Sequence, residues 1–256
     1  EVGNEDGDGE VWVGYGTGSV GELTMSADLT IGYGEGDDFV PGDLWVGNGV
    51  DSTGTFTKED GYLHCGSIQI AYLEDATGTF THSGGITECT KITLAHGAEG
   101  AEPSYAGEFY LQGGLVRANR KVTVGQAGKG QSLFEQTDGT LEIVKEDGVL
   151  EIGSIDPTIK GPGGFGTYHM SGGTLRVPQI VLSYNSGKGT FIQDGAGTTV
   201  EADVVRLWVT SDQYEQFATT YELSAGQLTV NDLLNIGGEV AGQWPAVFIL
   251  EGGQLE

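Results

Sequence analysis

The chain opens on Asn4-Glu5-Asp6-Gly7-Asp8-Gly9-Glu10, which sets side-chain oxygens at alternate positions, Asn4, Asp6 and Asp8, with glycines between and after them. Alternate oxygens that wrap a hard cation, with glycine to allow the turn, are how a calcium loop begins. The twelfth position of such a loop supplies a bidentate glutamate, and here it is Tyr15. The set is therefore partial. It reads either as calcium ligands at Asn4, Asp6 and Asp8 or as a solvated acidic terminus.

Cys65 and Cys89 are the only cysteines, and they stand 24 residues apart in matching phrases. Two readings stay open: a disulfide between neighbouring repeats, or two small thiols stacked in a core. No histidine falls in phase with them to make a nucleophile, and two thiols without a matching histidine pair do not close a tetrahedral zinc site. His64 is expected to point outward beside a core position. His82 and His169 occupy different places in their repeats and read as isolated surface groups. Arg117, Arg120 and Lys121, around Asn119, form the one basic cluster. It reads as a turn before Val122–Val124. A polysaccharide-cleaving enzyme would need such a group to take a proton and balance carboxylate charge. A solvated turn accounts for it more simply. Nothing else converges, so the expectation is a non-enzymatic protein.

Charge narrows the partners. Asp and Glu number 37 against 11 Lys and Arg, a net charge of −26. Nucleic-acid binding runs on Lys and Arg contacts to phosphate, so it is disfavoured, as is an anionic membrane surface. No run of 18 apolar residues is present to cross a membrane as a helix. Glycine is abundant at 46 of 256 residues while proline is scarce at six, which points to many tight turns between short strands.

The elements that must carry these residues repeat. Phe56, Phe80, Phe109, Phe134, Tyr168, Phe191, Tyr221 and Phe248 each sit in one phrase, Gly-Thr-aromatic, a glycine turn, then Leu-x-apolar. Their spacings are 24, 29, 25, 34, 23, 30 and 27 residues. Self-similarity at a period of roughly 20–50 residues marks a solenoid. Counting the aromatic as zero, glycine recurs at −2 and +5. Leu or a substitute recurs at +7 and a small apolar residue at +9. In the Phe191 repeat these last two are read as Thr198 and Val200. A second phrase, apolar-x-apolar-Gly, lies between: Val11–Gly14, Leu29–Gly32, Leu44–Gly47, Val122–Gly125, Leu150–Gly153 and Leu234–Gly237. Trp45 and Trp208 are placed at the outward middle of such strands, as exposed platforms for a glycan. Steps of two are strand periodicity. The fold class is all-β, a parallel β-helix with rungs of about 23–34 residues. Residues 51–256 form the regular repeats and residues 1–50 a shorter, irregular capping or docking section. The eight aromatics are expected to stack as a core ladder.

The phrases Gly166-Thr-Tyr-His-Met-Ser-Gly-Gly-Thr-Leu175 and Gly78-Thr-Phe-Thr-His-Ser-Gly-Gly85 resemble glycine-rich repeats of bacterial autotransporter-type passenger proteins and large surface proteins of Planctomycetes and their relatives. The resemblance covers about residues 50–256. It implies a right-handed β-helix exported to the cell surface, and it carries no catalytic motif. The function expected is an extracellular structural protein, a filament, surface-layer or adhesive subunit. The alternative is a polysaccharide-binding or polysaccharide-degrading β-helix.

The last phrase, Val247–Glu256, reaches +8 of a repeat with no helix, polar loop or proline after it. An uncapped β-helix end invites another strand. Phe248, Leu250 and Leu255 are expected to meet Val11, Trp12 and Val13 of a second copy, head to tail. The partners expected are thus the chain itself and cell-surface glycans.

Overall fold

The computed structural model describes residues 9–33, 39–95, 106–126, 130–154, 164–183, 187–208, 219–237 and 246–256. Among them there are strands and turns and no helix. Each repeat contributes three strands, which stack with their counterparts into three parallel columns.

The first column carries the aromatics. It runs Val20–Met25, Thr53–Lys58, Thr77–His82, 106–111, 131–136, Phe165–Met170, Lys188–Gln193, Thr219–Leu223 and Ala246–Leu250. The second holds the Leu-x-apolar strands, from Leu29–Thr30 and Tyr62–His64 through 86–89, 115–118, 140–143, 174–177, 199–202 and 227–230 to Gln254–Leu255. The third is built from the apolar-x-apolar phrase. It begins at Val11–Tyr15, Leu44–Asn48 and Ser67–Ile70, and ends at 204–207 and 233–236. Every pairing within the columns is parallel. The exception in the molecule is a small antiparallel pair, Gly32–Tyr33 with Val40–Pro41.

Residues 1–50 thus supply a rung of the same stack, Val11–Tyr15, Val20–Met25 and Leu29–Thr30. The antiparallel pair interrupts it before Leu44–Asn48.

Glycine explains the corners. The +5 glycines turn the chain from the first column to the second with φ of 69–80° at Gly61, Gly85, Gly114, Gly139, Gly173 and Gly226. Side chains with a Cβ avoid that region. The −2 glycines have a different reason: a Cβ on Gly166 would run into the Val124 carbonyl, where the third column passes close by. Most of the uneven repeat length falls between the third column and the first, outside the strands.

Inward side chains fill a narrow core. The eight aromatics form one stack, with ring centroids 4.5–5.2 Å apart and interplanar angles of 6–13° within it and 24° at each end. Leu23 continues the row below Phe56. Rings in register at strand spacing have no choice but to stack, and the offset stack is a favourable geometry. The Phe191 repeat departs from the expected count. Val200 pairs with Leu175 and Leu228, and Ala202 with Val177 and Val230. The turn at 194–198 is two residues longer, so Val200 and Ala202 hold the places assigned to Thr198 and Val200.

Candidate functional site

Asn4, Asp6 and Asp8 lie outside the described residues. Among the described residues, no group of three or more His, Cys, Asp or Glu converges as a metal-ligand set.

Cys65 and Cys89 are free thiols, both buried. They occupy the same place of successive rungs, since His64 pairs with Glu88 and the Cys65 amide donates to the Glu88 carbonyl at 3.1 Å. Above and beyond them the row continues as Ala118 and Ile143. Burial pushes both thiols up, Cys65 well above its ordinary value and Cys89 to about 12, with Asp43 adding to the shift in each case. Neither is a nucleophile at neutral pH.

The thiols are among the residues lining a cleft of about 230 Å³ at the corner between the second and third columns. Pro41, Thr90 and Val144 wall it, and His64, Glu88, Arg117 and Asn119 edge it. His64 does stand on the outside, half-buried between the rings of Phe39 and Tyr62, at 5.6 and 6.0 Å.

The charged rim belongs to a longer row. The outward second-column position runs His64, Glu88, Arg117, Glu142, Arg176, Glu201, one residue per rung. Arg117 is held on both sides, by Glu88 at 2.6 Å and by Glu142 at 3.1 Å. Arg176 bonds Glu201 at 3.1 Å. Tyr62 donates to Glu88 at 2.6 Å. That bond pushes the phenol up to about 12 and, from the other side, lowers Glu88, with Arg117 lowering it further. Within the basic cluster Arg117 lies on the second-column strand 115–118 and Lys121 opens the third-column strand, with Asn119 and Arg120 exposed at the corner between them. Lys121 is spent on Glu151 at 2.8 Å. Outward positions of neighbouring rungs are close enough for opposite charges to pair, so alternating signs neutralise each other.

Sequence reasoning missed a second inward row, two residues past each ladder residue, in which the polar Lys58, His82, Gln136 and Gln193 alternate irregularly with Met25, Leu111, Met170 and Leu223, all buried. His82 is thus no surface group. A step of two from a core aromatic must return to the core. Its polar identity, not its position, had placed it outside. His82 Nδ1 meets the Thr87 hydroxyl at 3.2 Å, while Nε2 is enclosed without a hydrogen-bond partner. Burial and the charge on Lys58 lower the imidazole to about 4, against a weaker opposing pull from the Gly85 carbonyl. Lys58 Nζ donates to the carbonyls of Asp60, Gly61 and Gly84 at 3.2, 2.8 and 2.7 Å. Gln136 donates to the carbonyls of Gly139 and Thr174 at 3.1 and 3.0 Å, and Gln193 to the Gln227 carbonyl at 3.0 Å. This row satisfies carbonyls of the first corner that the columns leave over.

Trp45 and Trp208 are not bare platforms. Trp45 is half-buried, packed edge-on against Tyr72 at 4.8 Å, with its Nε1 enclosed. In the strand 204–207 Arg206 takes the outward middle position and Trp208 follows the strand, where the other repeats have glycine, alanine or serine. The outward aromatic pair lies at the other end. Trp12 and Tyr15 stack at 4.6 Å, and Tyr15 is 43% exposed. Of the residues expected at a junction, Val13 is core, Val11 and Trp12 are half-buried, and Leu250 and Leu255 are exposed. No family model matches the chain, and neither a curated protein nor a solved structure is similar to it.

Proposed function

We propose that the chain is a structural unit of an extracellular rod or surface layer, a scaffold and not a catalyst, joined head to tail with further copies of itself. The observation that carries this is the rung at Ala246–Leu250 and Gln254–Leu255. It repeats the first- and second-column strands of the rung at Val20–Met25 and Leu29–Thr30. Phe248 stacks on Tyr221 at 5.2 Å and is only half-buried, while Leu250 and Leu255 are 51% and 40% exposed. Val20–Met25 presents Leu23 and Met25 in the same row positions as Phe248 and Leu250. Laid on the Ala246–Leu250 rung of a second copy, this rung would continue the columns, with Leu23 over Phe248 and Met25 over Leu250. Such a contact is heterologous and propagates. The likeness of the repeats to exported surface proteins supports a place outside the cell.

The test uses the native protein with its termini verified by mass spectrometry. Electron microscopy and sedimentation are expected to show rods longer than one chain, broken down by Leu250→Asp. Isolated short rods at high concentration would overturn the reading.

Glycan binding is a second reading, favoured by the Trp12–Tyr15 stack with Tyr15 exposed, since sugar faces pack on such rings. Retention on a glycan array that Trp12→Ala abolishes would support it.

A further inference from the structure

The rung geometry places Cys65 and Cys89 side by side. Neighbouring parallel strands are about 4.8 Å apart, and side chains leaving in-register positions run parallel. A disulfide wants its Cβ atoms about 3.8 Å apart and its sulfurs about 2.05 Å apart. The rung spacing lies inside the Cα range of about 4.4–6.8 Å that a disulfide tolerates, so the bond needs only the Cβ atoms to lean together, yet the two thiols are free. The same spacing fits another bond. Two metal–thiolate bonds of about 2.3 Å set end to end span about 4.6 Å.

Ligand count narrows the ion. The row beyond the thiols is hydrocarbon, at Ala118 and Ile143. His64 edges the same cleft but does not converge with the thiols as a third ligand. With no third His, Cys, Asp or Glu converging among the described residues, only two donors are on offer. Zinc wants four ligands, and calcium or magnesium six or more oxygens. A soft d10 ion such as Cu(I), Ag(I) or Hg(II) is content with two thiolates in line, and soft thiolates select such ions. Access is present too. The thiols are among the residues lining the cleft of about 230 Å³, Cys89 is 6% exposed, and the −26 charge of the chain draws cations to it.

We propose that Cys65 and Cys89 form a two-coordinate binding site for a soft d10 metal cation, entered from the cleft edged by His64, Glu88 and Arg117. On binding, each S–H bond breaks and an S–metal bond forms. Two protons leave to solvent and no electron is transferred. A thiol is protonated at neutral pH and binds a soft metal as the thiolate, so affinity climbs with pH. This site is independent of head-to-tail assembly.

Silver ion is the probe, titrated into the reduced full chain with thiolate-to-metal charge-transfer absorption and pH-stat proton release as readouts. One ion per chain and two protons per ion are expected, with a rise in melting temperature. Cys65→Ala and Cys89→Ala are each expected to lose this phase, and alanine already occupies the row at 118 and 202, so both variants should fold. Two ions per chain would overturn the proposal. So would one proton per ion, or undiminished binding by either single variant. Rapid closure of a Cys65–Cys89 disulfide by diamide would also overturn it, by showing that the sulfurs sit closer than the rung spacing.

Discussion

Tyr168 and Tyr221 each follow, one rung on, a glutamine in the inward row. The Tyr168 hydroxyl donates to Gln136 Oε1 at 2.5 Å and that of Tyr221 to Gln193 Oε1 at 3.1 Å. Where the preceding rung offers Lys58, His82, Leu111, Met170 or Leu223, the ladder carries phenylalanine instead. A buried hydroxyl must have a partner, so ring and acceptor come as a pair. Gln136→Leu is expected to cost about 1–3 kcal/mol by stranding the Tyr168 hydroxyl and two carbonyls. Adding Tyr168→Phe should restore part of that loss. Denaturant unfolding of the four proteins in the cycle measures the coupling, and strictly additive costs would show that the hydroxyl is bonded elsewhere. His82 gives a pH dependence. Its imidazole stays neutral in the fold down to about 4, while the unfolded chain takes up the proton at about 6.5. The unfolded state is therefore favoured as pH falls between those values. The stabilisation is complete above 6.5 and lost toward 4, up to about 3 kcal/mol. His82→Gln, which puts into the row a residue it already uses, should flatten this part of the stability profile. Parallel profiles for both proteins between pH 7 and 4.5 would show that His82 is solvated.

The aromatic stack is the element that runs the length of the molecule. Phe109 lies between Phe80 at 4.7 Å and Phe134 at 4.6 Å and is wholly buried. Phe109→Ala removes both ring contacts and leaves a cavity that in-register rungs cannot collapse, so a loss of about 3–5 kcal/mol is expected. A melting temperature within a degree or two of the parent would place Phe109 on the surface. This element was legible because its signal is periodic: an aromatic between glycines, with strand steps of two on either side. The longer turn at 194–198 was not, because counting from Phe191 runs straight through it and arrives two residues early. The inward polar row escaped for a different reason. Lys58, His82, Gln136 and Gln193 are residue types that composition assigns to the surface, and only the alternation from the neighbouring ring places them inside. Most of the charged row on the second column could have been read from the +8 positions, where Glu88, Arg117, Glu142 and Arg176 alternate in sign; Glu201 falls two residues later, past the longer turn. The cleft could not, because it depends on how one corner opens around Pro41 and Val144.

At the scale of the whole molecule, three columns of similar strands share one hazard. A stack of near-identical rungs looks almost the same after sliding by one rung. Phenylalanine on phenylalanine and valine on valine would be nearly as content one level up or down. Long-range contacts formed during folding would then carry little information about which repeat belongs beside which. The glutamine–tyrosine pairs break that symmetry. Were the Tyr168 strand to settle on the Phe109 strand, its hydroxyl would face Leu111 in place of Gln136 and go unpaired, at a cost of about 1–3 kcal/mol. Lys58 adds a mark of its own near the other end, since its ammonium needs the carbonyls of Gly61 and Gly84 together. Spaced along the core, these few polar residues number the rungs, and the chain can tell its correct order from a slipped copy of itself.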